Sequence, residues 1–406
     1  MNTVAGSPST THEFPRVVGY LLNLGHAVDH MFLLIFATAV TSIAVDFGYA
    51  NWADLMPYAT GAFFVFGIGA VPAGRLGDVW SRRGMMIVIF VGLGAASIVT
   101  ALAQNAWQLG LGLTLIGLFA AIYHPVGIPM LVQHARNPGA VIGFNGLAGN
   151  LGIAGAAVIT GMLIKWIGWR AAFAIPGLIC IACGIAFALL CPPEAEAPAK
   201  RKGGAKVVLT PAMLARAFTV MTAVAITSSL LFNFTTNGNA QLLTERFVRI
   251  IEDPAALGLL LAAIYAIASL AQIVVGNLID RMEFKPLNMA LSIPLIPLLI
   301  LAAYAEGWWL FVLLLGVMIL IFGAIPFTDA MIVRYVDDRL RSRVAGMRLA
   351  VSAGISSLAV WLLGPFVKTA GFDALFWLMA LIATAKAVVL IWLPRENAAA
   401  AAVVPK

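Results

Sequence analysis

Residues 74–84 read Gly74-Arg75-Leu76-Gly77-Asp78-Val79-Trp80-Ser81-Arg82-Arg83-Gly84, between two apolar runs of about twenty residues each. Such a stretch is a short polar hinge between two membrane-crossing helices. One acid stands among three arginines, Arg75, Arg82 and Arg83, and arginines at a membrane edge mark its cytoplasmic side. Asp78 can sit near the positive end of the next helix and pair with an arginine. Gly74, Gly77 and Gly84 allow a sharp turn and close approach of two helices.

The rest of the chain repeats this pattern. Of 406 residues, 62% are hydrophobic and 11% charged, against roughly 25% charged in soluble domains. Repeated apolar runs of 18 or more residues indicate an all-α membrane protein; a β-barrel would show short alternating segments. The net charge of +7 does not point to nucleic acid, because the basic residues sit in short loops. Residues 1–16 are polar and lack a cleavable signal pattern. Cys180, Cys183 and Cys191 lie in or at the end of one apolar helix with no His or acid beside them, and read as packing residues.

Twelve helices are predicted, at about 17–45, 54–76, 84–103, 107–133, 141–164 and 170–191, then 212–240, 255–279, 287–305, 308–333, 344–367 and 373–393. They divide into a cytoplasmic tail (1–16), a six-helix bundle (17–191), a charged linker (192–211), a second six-helix bundle (212–393) and a tail (394–406). Most lysines and arginines fall on the side of Arg75, the linker and Arg343. Only Lys165, Arg170, Arg246, Arg249 and Lys368 fall on the other, which makes both termini cytoplasmic.

The two halves echo each other. Gly276-Asn277-Leu278-Ile279-Asp280-Arg281 ends the eighth helix as Gly74 to Asp78 ends the second, and Pro125 and Pro326 hold similar places in the fourth and tenth. A six-plus-six repeat places a substrate cavity between the halves near mid-membrane. The 74–84 stretch resembles the loop signature of the major facilitator superfamily, Gly-x-Leu-Gly/Ala-Asp-Arg-x-Gly-Arg-Arg. Gly74, Leu76, Gly77, Asp78, Arg82 and Arg83 match in type, Val79 replaces a basic residue, and Ser81 falls near the usual glycine. The resemblance implies two pseudo-symmetric bundles that alternate access to a central site. It also implies a latch at the cytoplasmic face from Gly74, Asp78, Arg82, Arg83, Asp280 and Arg281.

Ionisable residues inside membrane helices are costly unless paired or hydrated, so they mark candidate sites. Helix 1 holds Asn23, His26, Asp29 and His30; 26, 29 and 30 share a face. Asp29 lies about twelve residues, roughly 18 Å, from the start of that helix. A carboxylate beside imidazoles can exchange a proton near neutral pH, so this cluster reads as a proton-coupling site or as a polar patch paired with a neighbour. In helix 4, Pro125 bends the chain, which turns Tyr123 and His124 toward a cavity or leaves them in a kinked core. In helix 5, Gly143 to Gly155 forms a close-packing face, with Asn145 and Asn150 bonding across helices and Asn145 also a candidate solute contact.

Together these features resemble the fosmidomycin-resistance type of facilitator. That type has a His-x-x-Asp pair in helix 1, Phe-His-Pro in helix 4 (Tyr123 here replaces the Phe) and Gly-Asn-x-Gly in helix 5 (Gly149 to Gly152). The helix-5 stretch also resembles that of drug:proton antiporters without its Gly-Pro step, since Ala154-Gly155-Ala156 stands there. The resemblance implies proton-driven export across a cell inner membrane by a monomer, with no cofactor and with solute and protons as partners.

In the second half, Asn233, Thr235, Thr236, Asn237, Asn239 and Gln241 offer uncharged donors and acceptors to a solute, or are wet at the outer helix end. Gln272 is a further solute candidate. Asp329 and Arg334 read as part of the cytoplasmic gate, Asp329 pairing with Arg343 or Arg348, with direct solute contact as the second reading. Lys386 is expected to snorkel to the interface, and Trp308 and Trp309 to anchor there. No nucleotide loop, metal-ligand motif or catalytic triad appears, so no enzyme is expected. The function expected is secondary transport of a small organic solute. The alternatives are uptake of a metabolite or organic anion by symport or uniport, and a non-transporting sensor or assembly factor.

Overall fold

The computed structural model describes residues 16–133, 135, 137–194, 197–198, 211–336 and 338–393, without the side chains of residues 211, 213, 214, 334, 335, 338 and 339. Both tails and most of the linker lie outside these. All regular structure among the described residues is helical. The first half comprises α1 (Arg16–Asp46), α2 (Thr60–Val79), α3 (Arg82–Ala101), α4 (Ala106–Ala120), α5 (Tyr123–Val132), α6 (Pro138–Trp166) and α7 (Trp169–Leu190). The second comprises α8 (Pro211–Arg246), α9 (Pro254–Ile279), α10 (Phe284–Ala303), α11 (Gly307–Gly323), α12 (Pro326–Tyr335) and α13 (Asp338–Leu390).

Among the described residues, eleven segments are long and apolar enough to cross a membrane. α4 with α5 makes one of them, and α11 with α12 another. The sequence reading of twelve differs at α13. Its apolar part, Leu340–Leu390, has 51 residues, about 77 Å at 1.5 Å per residue, more than twice a hydrocarbon core. It is broken at Gly371, where φ is +80° and ψ is 171°, a conformation glycine alone adopts cheaply.

Local chemistry sets the boundaries. Ser81 caps α3, its Oγ accepting the Gly84 N–H at 2.9 Å, so α3 starts at Arg82 rather than at 84 as the sequence reading has it. Asp253 caps α9, with Pro254 in the first turn. Pro57 holds the approach to α2 in a 3₁₀ turn, which delays α2 to Thr60. The breaks expected from Pro125 and Pro326 lie at residues 121–122 and 324–325, where the helix restarts as α5 and α12.

α2 packs along α13 and α6 along α9, and smaller contacts of α5 with α13, α1 with α8 and α6 with α12 also join the halves. Small residues make this possible. A Cβ on Gly74 would lie 2.4 Å from the Ser342 carbonyl oxygen, and one on Gly276 would lie 2.7 Å from the Gly139 carbonyl oxygen. Backbone thus meets backbone at both positions.

Candidate functional site

Between the halves lies a cavity of about 140 Å³, lined by residues of α1, α2, α5, α8, α11, α12 and α13. His30 and His124 form part of one wall; Ser229, Asn233, Asp329 and Arg348 form part of the other.

The first wall is built on α1. His26 and His30 stand one turn apart, and their Nε2 atoms lie 3.1 Å from each other. The break between α4 and α5 turns His124 into the same cluster, its ring centroid 5.0 Å from that of His26 and 5.5 Å from that of His30. His124 Nε2 is 3.7 Å from Asp29 Oδ2, beyond hydrogen-bond length. Asp29 is fully buried, and neither oxygen has a hydrogen-bond partner among the described residues. An isolated buried carboxylate is costly, and a bound proton or cation relieves the cost.

Behind this wall a network fixes His26. Its Nδ1 lies 2.8 Å from the Asn145 carbonyl oxygen, an acceptor, so Nδ1 carries the proton and Nε2 is left bare. The Tyr123 ring stacks on His26 at 4.7 Å and 10°. The Tyr123 hydroxyl donates to the Leu22 carbonyl oxygen at 2.8 Å and accepts from Asn145 Nδ2 at 2.7 Å; the same Nδ2 donates to Asn23 Oδ1 at 3.0 Å. Tyr123 and Asn145, read from the sequence as solute contacts, therefore stand behind the cluster and not among the cavity-lining residues. The close-packing face of α6 has a specific task here: a Cβ on Gly149 would fall 2.7 Å from the His26 ring.

On the second wall Arg348 Nη2 pairs with Asp329 Oδ1 at 2.8 Å, both side chains largely buried. This is the Arg348 alternative read from the sequence; Arg343 instead turns its backbone N–H to Asp78. Asp329 belongs to the cavity wall. Asn233 lines the cavity, while Asn237 does not and donates back to the Asn233 carbonyl oxygen at 3.1 Å. Residues 233, 235–237, 239 and 241 are all buried, so the run does not stand at an exposed helix end. Gln272 is buried over Gly146 at the α6–α9 contact, away from the cavity lining. Lys386 is 2% exposed and does not snorkel to an interface.

Contacts between the halves lie at both ends of the interface. At one, Asp78 pairs with Arg82 at 3.2 Å and accepts the Arg343 N–H of α13 at 3.0 Å. Asp280 accepts the Gly139 and Ala140 N–H groups of α6 at 3.1 and 3.0 Å, a carboxylate on a helix N-terminus. The two contacts are related: in each, an acid four residues after a glycine grips the opposing half. Arg83 does not bridge the halves. Its Nε and Nη2 donate to the Cys191 and Ala188 carbonyl oxygens at the end of α7. Arg281 is exposed, and the side chain of Arg334 lies outside the described residues. At the other end, Lys165 pairs with Asp253 and Lys368 with Asp54, each at 2.7 Å. Gln241 joins α8 to α1 through Thr41 and the Ala37 carbonyl oxygen.

Sequence reasoning missed Arg348 and Ser229 as cavity residues. Arg348 carries a signal, a lone cation inside an apolar run; Ser229 carries none.

The family model of the Major Facilitator Superfamily matches residues 22–244 and 250–406. A probable actinorhodin transporter of Streptomyces coelicolor is 28% identical over 206 residues, 49% of this chain and 35% of that protein. A probable 4-methylmuconolactone transporter of Cupriavidus pinatubonensis is 28% identical over 184 residues, 43% of this chain and 42% of that protein. The chain thus spans well under half the length of these curated relatives. Among solved structures, the human organic anion transporter MFSD10 (TETRAN) superposes with a TM-score of 0.71 at 14% identity, covering 92% of this chain and 99% of that one.

Proposed function

The chain belongs to the major facilitator superfamily, and we propose that it is a proton-coupled secondary transporter of a small neutral or anionic organic solute. One observation carries the reading. A cavity lies between the halves, with contacts between the halves at either end, the Asp29–histidine cluster beside one wall and the Arg348–Asp329 pair in the other. In this reading the chain crosses a cell inner membrane twelve times, α13 supplying two spans on either side of Gly371. The bundles are 17–191 and 212–393, and both termini are cytoplasmic.

Asp29 takes the proton, with His26, His30 and His124 sharing it. The solute sits among Ser229, Asn233, Thr328 and Arg348. Gly74, Asp78, Arg82 and Asp280 close the cytoplasmic gate, and the Lys165–Asp253 and Lys368–Asp54 pairs close the other side. Proton binding and solute binding are coupled because both act on the one cavity that the Asp29 cluster adjoins. Export driven by inward proton movement follows the fosmidomycin-resistance likeness of residues 26–30, 123–125 and 149–152. Uptake of a metabolite is the second reading; the cavity of about 140 Å³ favours it, being smaller than the 300–1,000 Å³ typical of drug-sized sites.

Counterflow of labelled organic acids into liposomes containing the purified protein tests the proposal. Accumulation of at least one acid, lost when Asn233→Leu fills the cavity, is expected. Counterflow unchanged in that variant would remove the cavity as the solute site.

A further inference from the structure

Three of the five histidines of the chain converge at one point. One ring nitrogen each of His26, His30 and His124 lies within 4.8 Å of the other two. Asp29 adds a carboxylate oxygen 3.7 Å from His124 Nε2, with no hydrogen-bond partner among the described residues. Three imidazoles and one carboxylate make a four-ligand donor set of the kind that zinc and its neighbours take. From this geometry we propose that His26, His30, His124 and Asp29 form a binding site for a divalent transition metal such as Zn²⁺ or Co²⁺.

The distances fit. In a tetrahedral site with metal–nitrogen bonds near 2.05 Å, ligand nitrogens stand about 3.3 Å apart. His26 Nε2 and His30 Nε2 stand at 3.1 Å; the ligand nitrogens of all three histidines lie within 4.8 Å of one another, so an ion would draw the His124 ring inward. The tautomer fits as well. His26 Nδ1–H donates to the Asn145 carbonyl oxygen, which leaves Nε2 with its lone pair directed at the cluster. A backbone carbonyl behind a ligating imidazole is the usual supporting contact at metal sites. His26 and His30 are four residues apart on α1, the helical spacing that places two imidazoles on one metal. Without a metal, one proton between the two Nε2 atoms holds them together; the cation replaces that proton.

The site has an entrance. His30 and His124 line the cavity, while His26 and Asp29 lie behind them, so an ion arriving through the cavity meets two ligands first. Three neutral imidazoles and one carboxylate offset one of the two metal charges. The remaining positive charge faces Ser229 and Asn233 across the cavity, where it would favour an anionic solute. Imidazole donors select against Mg²⁺ and Ca²⁺, which prefer all-oxygen sites. The inference stands on coordination geometry alone and holds whether or not the cluster also carries the coupling proton.

Titration of Co²⁺ into chelator-stripped, tag-free protein in detergent tests it. One equivalent should bind, with the visible ligand-field bands of a tetrahedral nitrogen–oxygen site and no thiolate charge-transfer band. Zn²⁺ should displace it and Mg²⁺ should not. His30→Gln and His124→Gln should each weaken binding at least tenfold, while the double variant His12→Gln/His134→Gln binds as wild type. Absence of saturable binding below about 1 mM, a thiolate band from the cysteines, or binding lost only in the His12/His134 variant would each overturn the site. The wild-type spectrum decides the question by itself if a cluster variant does not fold.

Discussion

Replacing Gly74 by alanine should open one end of the interface between the halves. The added Cβ would lie 2.4 Å from the Ser342 carbonyl oxygen and 2.9 Å from its carbon, and both are backbone atoms that no rotamer change can move. α2 and α13 must separate at this end, which also draws Asp78 away from the Arg343 N–H it accepts at 3.0 Å. Overpacking a tight contact costs about 1–3 kcal/mol. The strain acts only while this end is shut, so it multiplies the open-to-shut ratio by about 5 to 150. Gly364→Ala makes the matching change at the other end, where its Cβ would lie 2.4 Å from the Ala53 carbonyl oxygen, and should shift the population the opposite way. Gly19→Ala meets nothing within 4 Å and is the control. Distance distributions between spin labels placed across each end would read the populations. If Gly74→Ala and Gly364→Ala left both distributions as in wild type, or moved them in the same direction, the two contacts would not be opposing gates.

Three further outcomes follow from the same geometry. Arg348→Met leaves the Asp329 carboxylate largely buried without its 2.8 Å partner and should destabilise the protein by about 3–5 kcal/mol; the double variant with Asp329→Asn should regain most of that, as thermal unfolding in detergent would show. Tyr123→Phe deprives Asn145 and the Leu22 carbonyl oxygen of a hydrogen bond each and should cost about 1–3 kcal/mol of stability, with solute affinity unchanged, since Tyr123 does not line the cavity; binding and unfolding measured on the same sample separate the two effects. The hydrogen bond from Lys165, with that from the Ala255 N–H, holds the exposed Asp253 carboxyl below its ordinary value of 3.8. A lowered carboxyl contributes above the unfolded pKa and loses its contribution as pH falls through the folded one. The Lys165–Asp253 contact should therefore respond below about pH 4 and not between pH 5 and 8, and a label pair across that end should report no titration in the neutral range.

Much of the fold and part of the site were legible in the sequence because the relevant signals are local. The 26, 29 and 30 spacing puts three ionisable groups on one helical face wherever that helix packs, and Pro125 locates a break whatever surrounds it. The spacing of Gly74 to Asp78 recurs at Gly276 to Asp280, and the structure gives both acids the same work. What escaped depends on register between helices. Whether Tyr123 faces the cavity or stacks behind His26 is set by how α5 sits against α1, and nothing in residues 121–125 encodes it. Arg83 was read with Arg82 as part of one latch, yet neighbouring helical positions point about 100° apart; Arg82 turns to Asp78 and Arg83 to the carbonyls of α7. Lys386 is expected at an interface because a long side chain can reach one, but helix packing, which its position in α13 does not reveal, leaves it 2% exposed.

The central claim is that the Asp29 cluster couples proton movement to solute movement through the cavity it adjoins. The most direct measurement is proton flux into liposomes containing the protein, read by a trapped pH dye, when a solute accepted in counterflow is added to wild type and to Asp29→Asn. The account predicts solute-dependent proton flux in wild type and none in Asp29→Asn, with solute counterflow retained in that variant. Equal proton flux in the two proteins would contradict it.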